Sequence, residues 1–249
     1  MSESLVLLHG SANGAYSWGA VLRGLGPTGA RVLAPDMLGY GRAPAPSATY
    51  DIAEEVAHLR ALIDAAEPGA VHLVTHSLGT LYGLHLRRAL GARVTRLTLI
   101  DPVLVSVLRD SGEQAGFDEM EGQYQHFMRR LAEAPAAAAR GFVEHWNGEG
   151  SWEAIGERAR AVITGLAPRV ALEMDQARRD TTPLAWLAES PPPTHILLGE
   201  RTRVAPQAVT RQLARAFGAT VTVVPGAAHM IPLTHAAHVV RALGSPATA

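Results

Sequence analysis

The 249-residue chain contains no cysteine and no lysine. Without cysteine it can form no disulfide, no thiolate metal site and no thiol nucleophile. All 22 basic residues are arginine, so Schiff-base chemistry and a serine–lysine dyad are excluded as well. Covalent catalysis would therefore fall to serine with a histidine base. Charge of one sign is also lacking: the net charge is −1, the isoelectric point is near 6.8, and the arginines are scattered. That pattern offers no footprint for nucleic acid and no polybasic patch for a membrane surface. No apolar run approaches the roughly 18–20 residues that span a bilayer. Met1-Ser2-Glu3 leads straight into an apolar run with no basic leader or cleavage site, so a cytoplasmic protein is expected.

Short β-rich apolar runs recur at Leu5–Leu8, Arg31–Ala34, Val71–Thr75, Val94–Ile100, His195–Leu198 and Thr220–Val224. Their unbroken apolarity fits strands buried on both faces. Helical patterns lie between them at Ile52–Ala65, Leu78–Leu90, Gln207–Phe217 and His235–Leu243. This alternation predicts a mostly parallel sheet of α/β class, flanked by helices, with functional loops at the carboxyl ends of the strands. The rhythm breaks between Asp101-Pro102 and Pro191-Pro192-Pro193. That interval of about 90 residues is too long for a loop. Its helical stretches are Tyr124–Ala134, Ala136–Trp146, Trp152–Thr164 and Val170–Arg178, so 102–192 reads as a helical insertion over the sheet. The core is then 1–101 with 193–249.

Thr75-His76-Ser77-Leu78-Gly79 falls between an apolar run and a helical pattern. A sharp strand-to-helix turn there would push the Ser77 hydroxyl out of the sheet, and Gly79 would let strand and helix pass closely. The first strand ends in His9-Gly10-Ser11-Ala12-Asn13-Gly14, a glycine-bearing loop able to aim N–H groups at a developing oxyanion. The last strand leads into Pro225-Gly226-Ala227-Ala228-His229, where an imidazole can swing over the sheet end as a base.

With these motifs in this order, the whole chain resembles the α/β-hydrolase family. His9-Gly10 is similar to the family's oxyanion loop, and Asp36 with Gly39 and Gly41 to its D-x-x-G-x-G turn. Thr75–Gly79 is similar to its nucleophile elbow, with Thr75 where a glycine is usual, and Gly226–His229 to its histidine loop. The resemblance implies Ser77 as nucleophile, His229 as general base, the backbone N–H groups of Ser11 and Leu78 as oxyanion hole, and a helical cap at 102–192. It also implies that the family's first two strands are missing, leaving about six. In place of the usual acid, three residues after Gly199, stands Thr202. Asp101, at the end of the neighbouring strand, is the expected substitute, and Glu200 is the alternative.

Plainer roles are expected elsewhere. His9 and His76 should pack and hydrogen-bond locally, and Asp36 should organise its turn. His72, His85, His126, His145, His195, His235 and His238 show no metal-ligand spacing with carboxylates. The aromatic and methionine content of the insertion (Met120, Tyr124, Phe127, Phe142, Trp146, Trp152, Met174) serves its own core or a pocket, and Trp18 is equally ambiguous.

The expectation is a cofactor-independent and metal-free serine hydrolase of small or medium apolar carboxylic esters, working through an acyl-enzyme on Ser77. It would act as monomer or homodimer, without nucleic-acid or membrane partners. Ser rather than Asp at the elbow argues against the family's epoxide hydrolases and haloalkane dehalogenases. A C–C hydrolase, thioesterase, lactonase, perhydrolase or hydroxynitrile lyase shares the fold, and a hydrolase-like ligand-binding protein without chemistry is the alternative from another class.

Overall fold

Strands that must be apolar on both sides need helices on both sides. The computed structural model, which describes residues 3–26, 31–66 and 69–244, shows that arrangement. Its elements run β1 (Ser4–Leu8), α1 (Gly19–Leu25), β2 (Val32–Leu33), α2 (Ile52–Ala66), β3 (Val71–His76), α3 (Gly79–Leu90) and β4 (Val94–Ile100). After the insertion come β5 (Thr194–Gly199), α10 (Val204–Phe217), β6 (Thr220–Val224), α11 (Ile231–Thr234) and α12 (Ala236–Gly244). The insertion itself holds α4 (Val105–Asp110), α5 (Gln114–Glu133), α6 (Pro135–Asn147), α7 (Ser151–Ala154), α8 (Glu157–Arg179) and α9 (Leu184–Leu187).

The described strands form one parallel sheet in the order β2-β1-β3-β4-β5-β6. Alternate strand residues feed two cores. Val6, Leu8, Leu73, Leu97 and Leu99 meet α2, α3 and α10 on one face through Leu59, Ile63, Leu81, Leu84, Val209 and Leu213. Leu5, Leu7, Val74, Ile100 and Leu197 meet Trp18, α1 and α12 on the other, through Val21, Val239 and Leu243. Trp18 is therefore a core residue. A third cluster, with Phe127, Ala138, Ala167, Val170 and Ala171, joins α5, α6 and α8 to one another and includes Ala12 from the loop after β1.

The structure corrects several sequence expectations. The strand expected at 31–34 shortens to Val32–Leu33 at the sheet edge, where β1 alone among the described strands pairs with it. The two helical stretches expected around Trp152–Thr164 and Val170–Arg178 belong mostly to one 23-residue helix, α8, running through Pro168. Proline costs the hydrogen bond to the carbonyl one turn back. Buried anchors after it, Arg169, Val170 and Glu173, keep the helix docked. The short helices α1, α4, α9 and α11 had no periodic signal long enough to read. Met1, Ser2 and residues 245–249, the ends of the expected core, lie outside the described residues. No described helix is long and apolar enough to cross a membrane.

Three histidines lie within this frame as neutral side chains. Burial lowers His9 to about 4, His72 to about 4 and His76 to about 3. Their unfolded counterparts bind a proton near pH 6.5. Because the folded values are depressed, their contribution is complete above that pH and is lost as pH falls toward 4. Each adds a slope of up to roughly 1.4 kcal/mol per pH unit. Denaturant unfolding should therefore show markedly lower stability at pH 5 than at pH 7, and equal stability would contradict their neutral burial.

Candidate active site

Ser77 follows β3 with φ +57, a left-handed conformation that a non-glycine residue adopts only when its surroundings enforce it. Its N–H donates to the Ile100 carbonyl at 3.0 Å, and its carbonyl accepts from Thr80 at 3.0 Å. Close approach of the β1 loop requires glycine on each side. A Cβ on Gly79 would lie 2.3 Å from the His9 carbonyl oxygen, and one on Gly10 would lie 2.8 Å from Ser77 Cβ. Thr75 is accommodated by the helix it faces. Its hydroxyl bonds to that of Thr80 at 2.9 Å, and its methyl occupies the space a Cβ on Gly83 would need.

The parallel register sets Thr75 beside Leu8, His76 beside Ile100 and Ile100 beside Leu197. Hence Ser77 and Asp101 leave adjacent strands at the same edge. Asp101, φ +46 and fully buried, turns its carboxylate toward β5. Its Oδ1 accepts the Gly199 N–H at 3.0 Å, and its Oδ2 accepts the Thr202 hydroxyl at 2.5 Å. The same Oδ2 lies 2.6 Å from His229 Nδ1, and His229 Nε2 lies 2.7 Å from Ser77 Oγ. A carboxylate can only accept, so Nδ1 carries the proton and Nε2 faces Ser77 as an acceptor. The structure thus joins Ser77, His229 and Asp101 in one chain of hydrogen bonds. Glu200 is not part of it: exposed at the surface, it accepts the Gly226 N–H at 2.7 Å and braces the loop that carries His229.

The loop after β1 brings Ser11 to the same place. The backbone N–H groups of Ser11 and Leu78 bond to no acceptor among the described residues, and both residues line the cleft with Ser77. Asp36 works as a turn organiser, accepting the N–H groups of Ala15 at 2.8 Å and Arg42 at 3.2 Å. His9 bonds locally, Nδ1 to the Gly10 carbonyl and Nε2 from the Met37 N–H. His76 donates to the His229 carbonyl at 2.9 Å and so holds the histidine loop.

Two lobes open at Ser77. One, of about 490 Å³, is lined by Val103, Val105, Met120, Tyr124, Met174 and Ala177, with Arg178 and Glu121 at its polar end. The other, of about 560 Å³, is lined by His229, Met230, Leu233, Asn13, Asn147, Ile155 and Ile163. Phe142 and Trp146 border both. The Trp146 ring stacks on the His229 ring, centroids 4.2 Å apart at 24°. Of the insertion's aromatic residues, Tyr124, Phe142 and Trp146 face the cleft, whereas Phe127 is buried among its helices. Among the described residues no group of three or more His, Asp or Glu could hold a metal ion.

Thr202 and the Arg169–Glu173 pair have roles that the sequence did not assign to them. Thr202 supplies a hydroxyl to Asp101, and its place at the usual acid position was the signal. Arg169 and Glu173 on α8 are charged residues on a buried face, an i, i+4 pair flanked by Val170 and Ala177, which the helical period could have shown.

Comparison with known proteins places this geometry in context. The family model described as "Alpha/beta hydrolase family" matches residues 5–243. The 2-hydroxy-6-oxo-2,4-heptadienoate hydrolase of Pseudomonas putida is 39% identical over 106 residues, 41% of this chain and 38% of that protein. A haloalkane dehalogenase of Agrobacterium fabrum is 31% identical over 103 residues, 41% of this chain and 34% of that protein. The chain thus spans well under half the length of these curated relatives. A hydrolase from Pseudomonas aeruginosa PA01 has a similar structure, with TM-score 0.77 and 24% identity over 98% of this chain and 91% of that one. A thermophilic esterase from Thermogutta terrifontis gives TM-score 0.77 at 20% identity, over 98% and 88%. At these identities the solved structures speak for the fold alone.

Asp101 and Glu200 can be separated by Ser77 reactivity. Labelling of Ser77 by a fluorophosphonate probe should slow by orders of magnitude, up to about 10⁴-fold, in Asp101→Asn, because the amide misassigns the His229 tautomer. Glu200→Gln should label at nearly the wild-type rate. The reverse ranking would move the acid's role to Glu200.

Proposed function

The chain belongs to the alpha/beta hydrolase family, and from that premise we propose that it is a serine hydrolase of small or medium apolar carboxylic esters. The observation that carries this reading is the unbroken hydrogen-bond chain Ser77–His229–Asp101 opening on an apolar cleft. A serine hydroxyl is a weak nucleophile until a neighbouring base takes its proton. His229 Nε2, 2.7 Å from Ser77 Oγ, is that base, and Asp101 stabilises the imidazolium that results. As Ser77 attacks the ester carbonyl, the oxyanion is received by the N–H groups of Ser11 and Leu78. His229 then returns the proton to the departing alcohol, leaving an acyl-enzyme on Ser77. A water activated by His229 releases the acid and restores the hydroxyl.

This sequence assigns the two lobes. The leaving alcohol must lie against His229 Nε2 and so takes the lobe of Met230, Leu233 and Ile155. The acyl chain takes the lobe of Val103, Met120, Tyr124 and Met174. Segment 102–192 acts as a cap, since α5, α6 and α8 supply most of the acyl lining.

The relatives' names include a haloalkane dehalogenase and an epoxide hydrolase. Serine attack on a saturated carbon of such substrates would leave an ether, which water does not cleave under mild conditions. An acyl group on serine is an ester that water can cleave, so the Ser77 hydroxyl favours acyl transfer.

Ser77→Ala should lose nearly all activity on an apolar ester panel while remaining folded, since removing such a nucleophile costs several orders of magnitude in kcat. Activity within tenfold of the wild type would refute the nucleophile.

The rate should also rise with pH through a single ionisation, because only neutral His229 accepts the proton. Burial holds the nearby His76 and His145 down to about 3, so both stay neutral near neutral pH. A profile unchanged in His229→Gln would contradict the assignment.

A further inference from the structure

Glu173 is fully buried on α8 and lines neither lobe of the cleft. It sits one helical turn beyond Arg169, which ties α8 to the core. Arg169 Nε donates to the Leu38 carbonyl at 2.6 Å, and Nη2 donates to Tyr50 Oη at 2.8 Å and Glu55 Oε2 at 3.0 Å. Next to this anchor, the Tyr40 hydroxyl donates to Glu173 Oε2 at 2.7 Å. The same hydroxyl accepts the Ala12 N–H at 3.2 Å. Ala12 has φ +58, so the bond fixes a loop residue in a conformation that alanine alone disfavours. Its methyl packs against the insertion's own core, beside Val170 and Ala171 of α8. Burial pushes the Glu173 carboxyl up, opposed by the Arg169 guanidinium, the Tyr40 hydroxyl and, more weakly, the nearby Ser11 hydroxyl. Two successive loop residues are therefore tied to one carboxylate of the insertion, Ala12 through the Tyr40 hydroxyl and Ser11 beside it, and Ser11 lines the cleft at Ser77.

We propose that Tyr40 and Glu173 are positioning residues, a buried strut by which α8 holds the Ser11 N–H where the tetrahedral oxyanion forms. The oxyanion site is then complete only while α8 is docked on the sheet domain. Substrate contacts that seat the insertion and stabilisation of the transition state thus become one event. The strut rests on the serine-hydrolase reading, and neither residue touches the reacting atoms.

The test is Tyr40→Phe, which keeps the ring against His9 and Arg169 and removes only the hydroxyl. The substrates are an apolar ester and its thionoester, whose sulfur accepts hydrogen bonds poorly and gains less from oxyanion donors. The strut predicts that kcat for the ester falls by about ten- to hundredfold with KM within about twofold, as expected when a donor is misplaced. The ester-to-thionoester rate ratio should fall with it. A kcat within twofold of wild type would overturn the strut, and so would equal losses on both substrates. Failure of the underlying reading is distinguished in the wild-type protein, which would then neither hydrolyse the ester nor be labelled at Ser77 by a fluorophosphonate.

Discussion

Everything at this site depends on the register of three adjacent strands. The bond from His229 to Asp101 can form only because β4 runs in register with β3 on one side and β5 on the other. Ser77 continues that pairing one residue past the end of β3, through its N–H to Ile100. Asp101 does the same past β4, through its N–H to Leu197 at 2.8 Å. Each of the two then turns to positive φ, which lifts its side chain off the sheet edge. A register slip of one residue would send both side chains to the opposite face.

Such backbone conformations cost of order 1–3 kcal/mol each and persist where the surroundings over-determine them. Here the surroundings are close-packed glycines and committed hydrogen bonds. Gly79 and Gly10 let the β1 loop press against the turn at Ser77. Gly199 plays the same part for the histidine loop, where a Cβ would meet the Ala228 carbonyl oxygen at 2.7 Å. The Asp101 carboxylate is shared among Gly199, Thr202 and His229, so it has little freedom to rotate away. The site is preorganised by the sheet, while its walls come from helices that the sheet does not control.

That division explains what was legible in the sequence. Strands and their loops announce themselves by composition, and the resemblance of the motifs there to the family's then singled out Ser77, His229 and Ser11 as candidates. Asp101 could be named because the strand order implied by the resemblance sets it beside the strand that leads to Thr202, which stands at the usual acid position. The insertion was legible only as helices. Which faces of α5, α6 and α8 meet the cleft depends on how they dock, and docking is fixed by pairs far apart in the chain. Tyr40 and Glu173 are separated by 133 positions, and no local pattern joins them. The continuity of α8 through Pro168 was hidden for the same reason, because tertiary anchors on its far side outweigh a local breaker.

In the proposed reaction Ser77 itself becomes acylated, rather than His229 delivering water directly to the ester. Intact-protein mass spectrometry after rapid acid quench, during turnover of an activated apolar aryl ester, tests it most directly. A protein species heavier by one acyl group is expected, with the added mass confined to the peptide containing Ser77. Steady hydrolysis with no acylated protein, even when the acyl chain is chosen to slow deacylation, or with the acyl group on another residue, would contradict it.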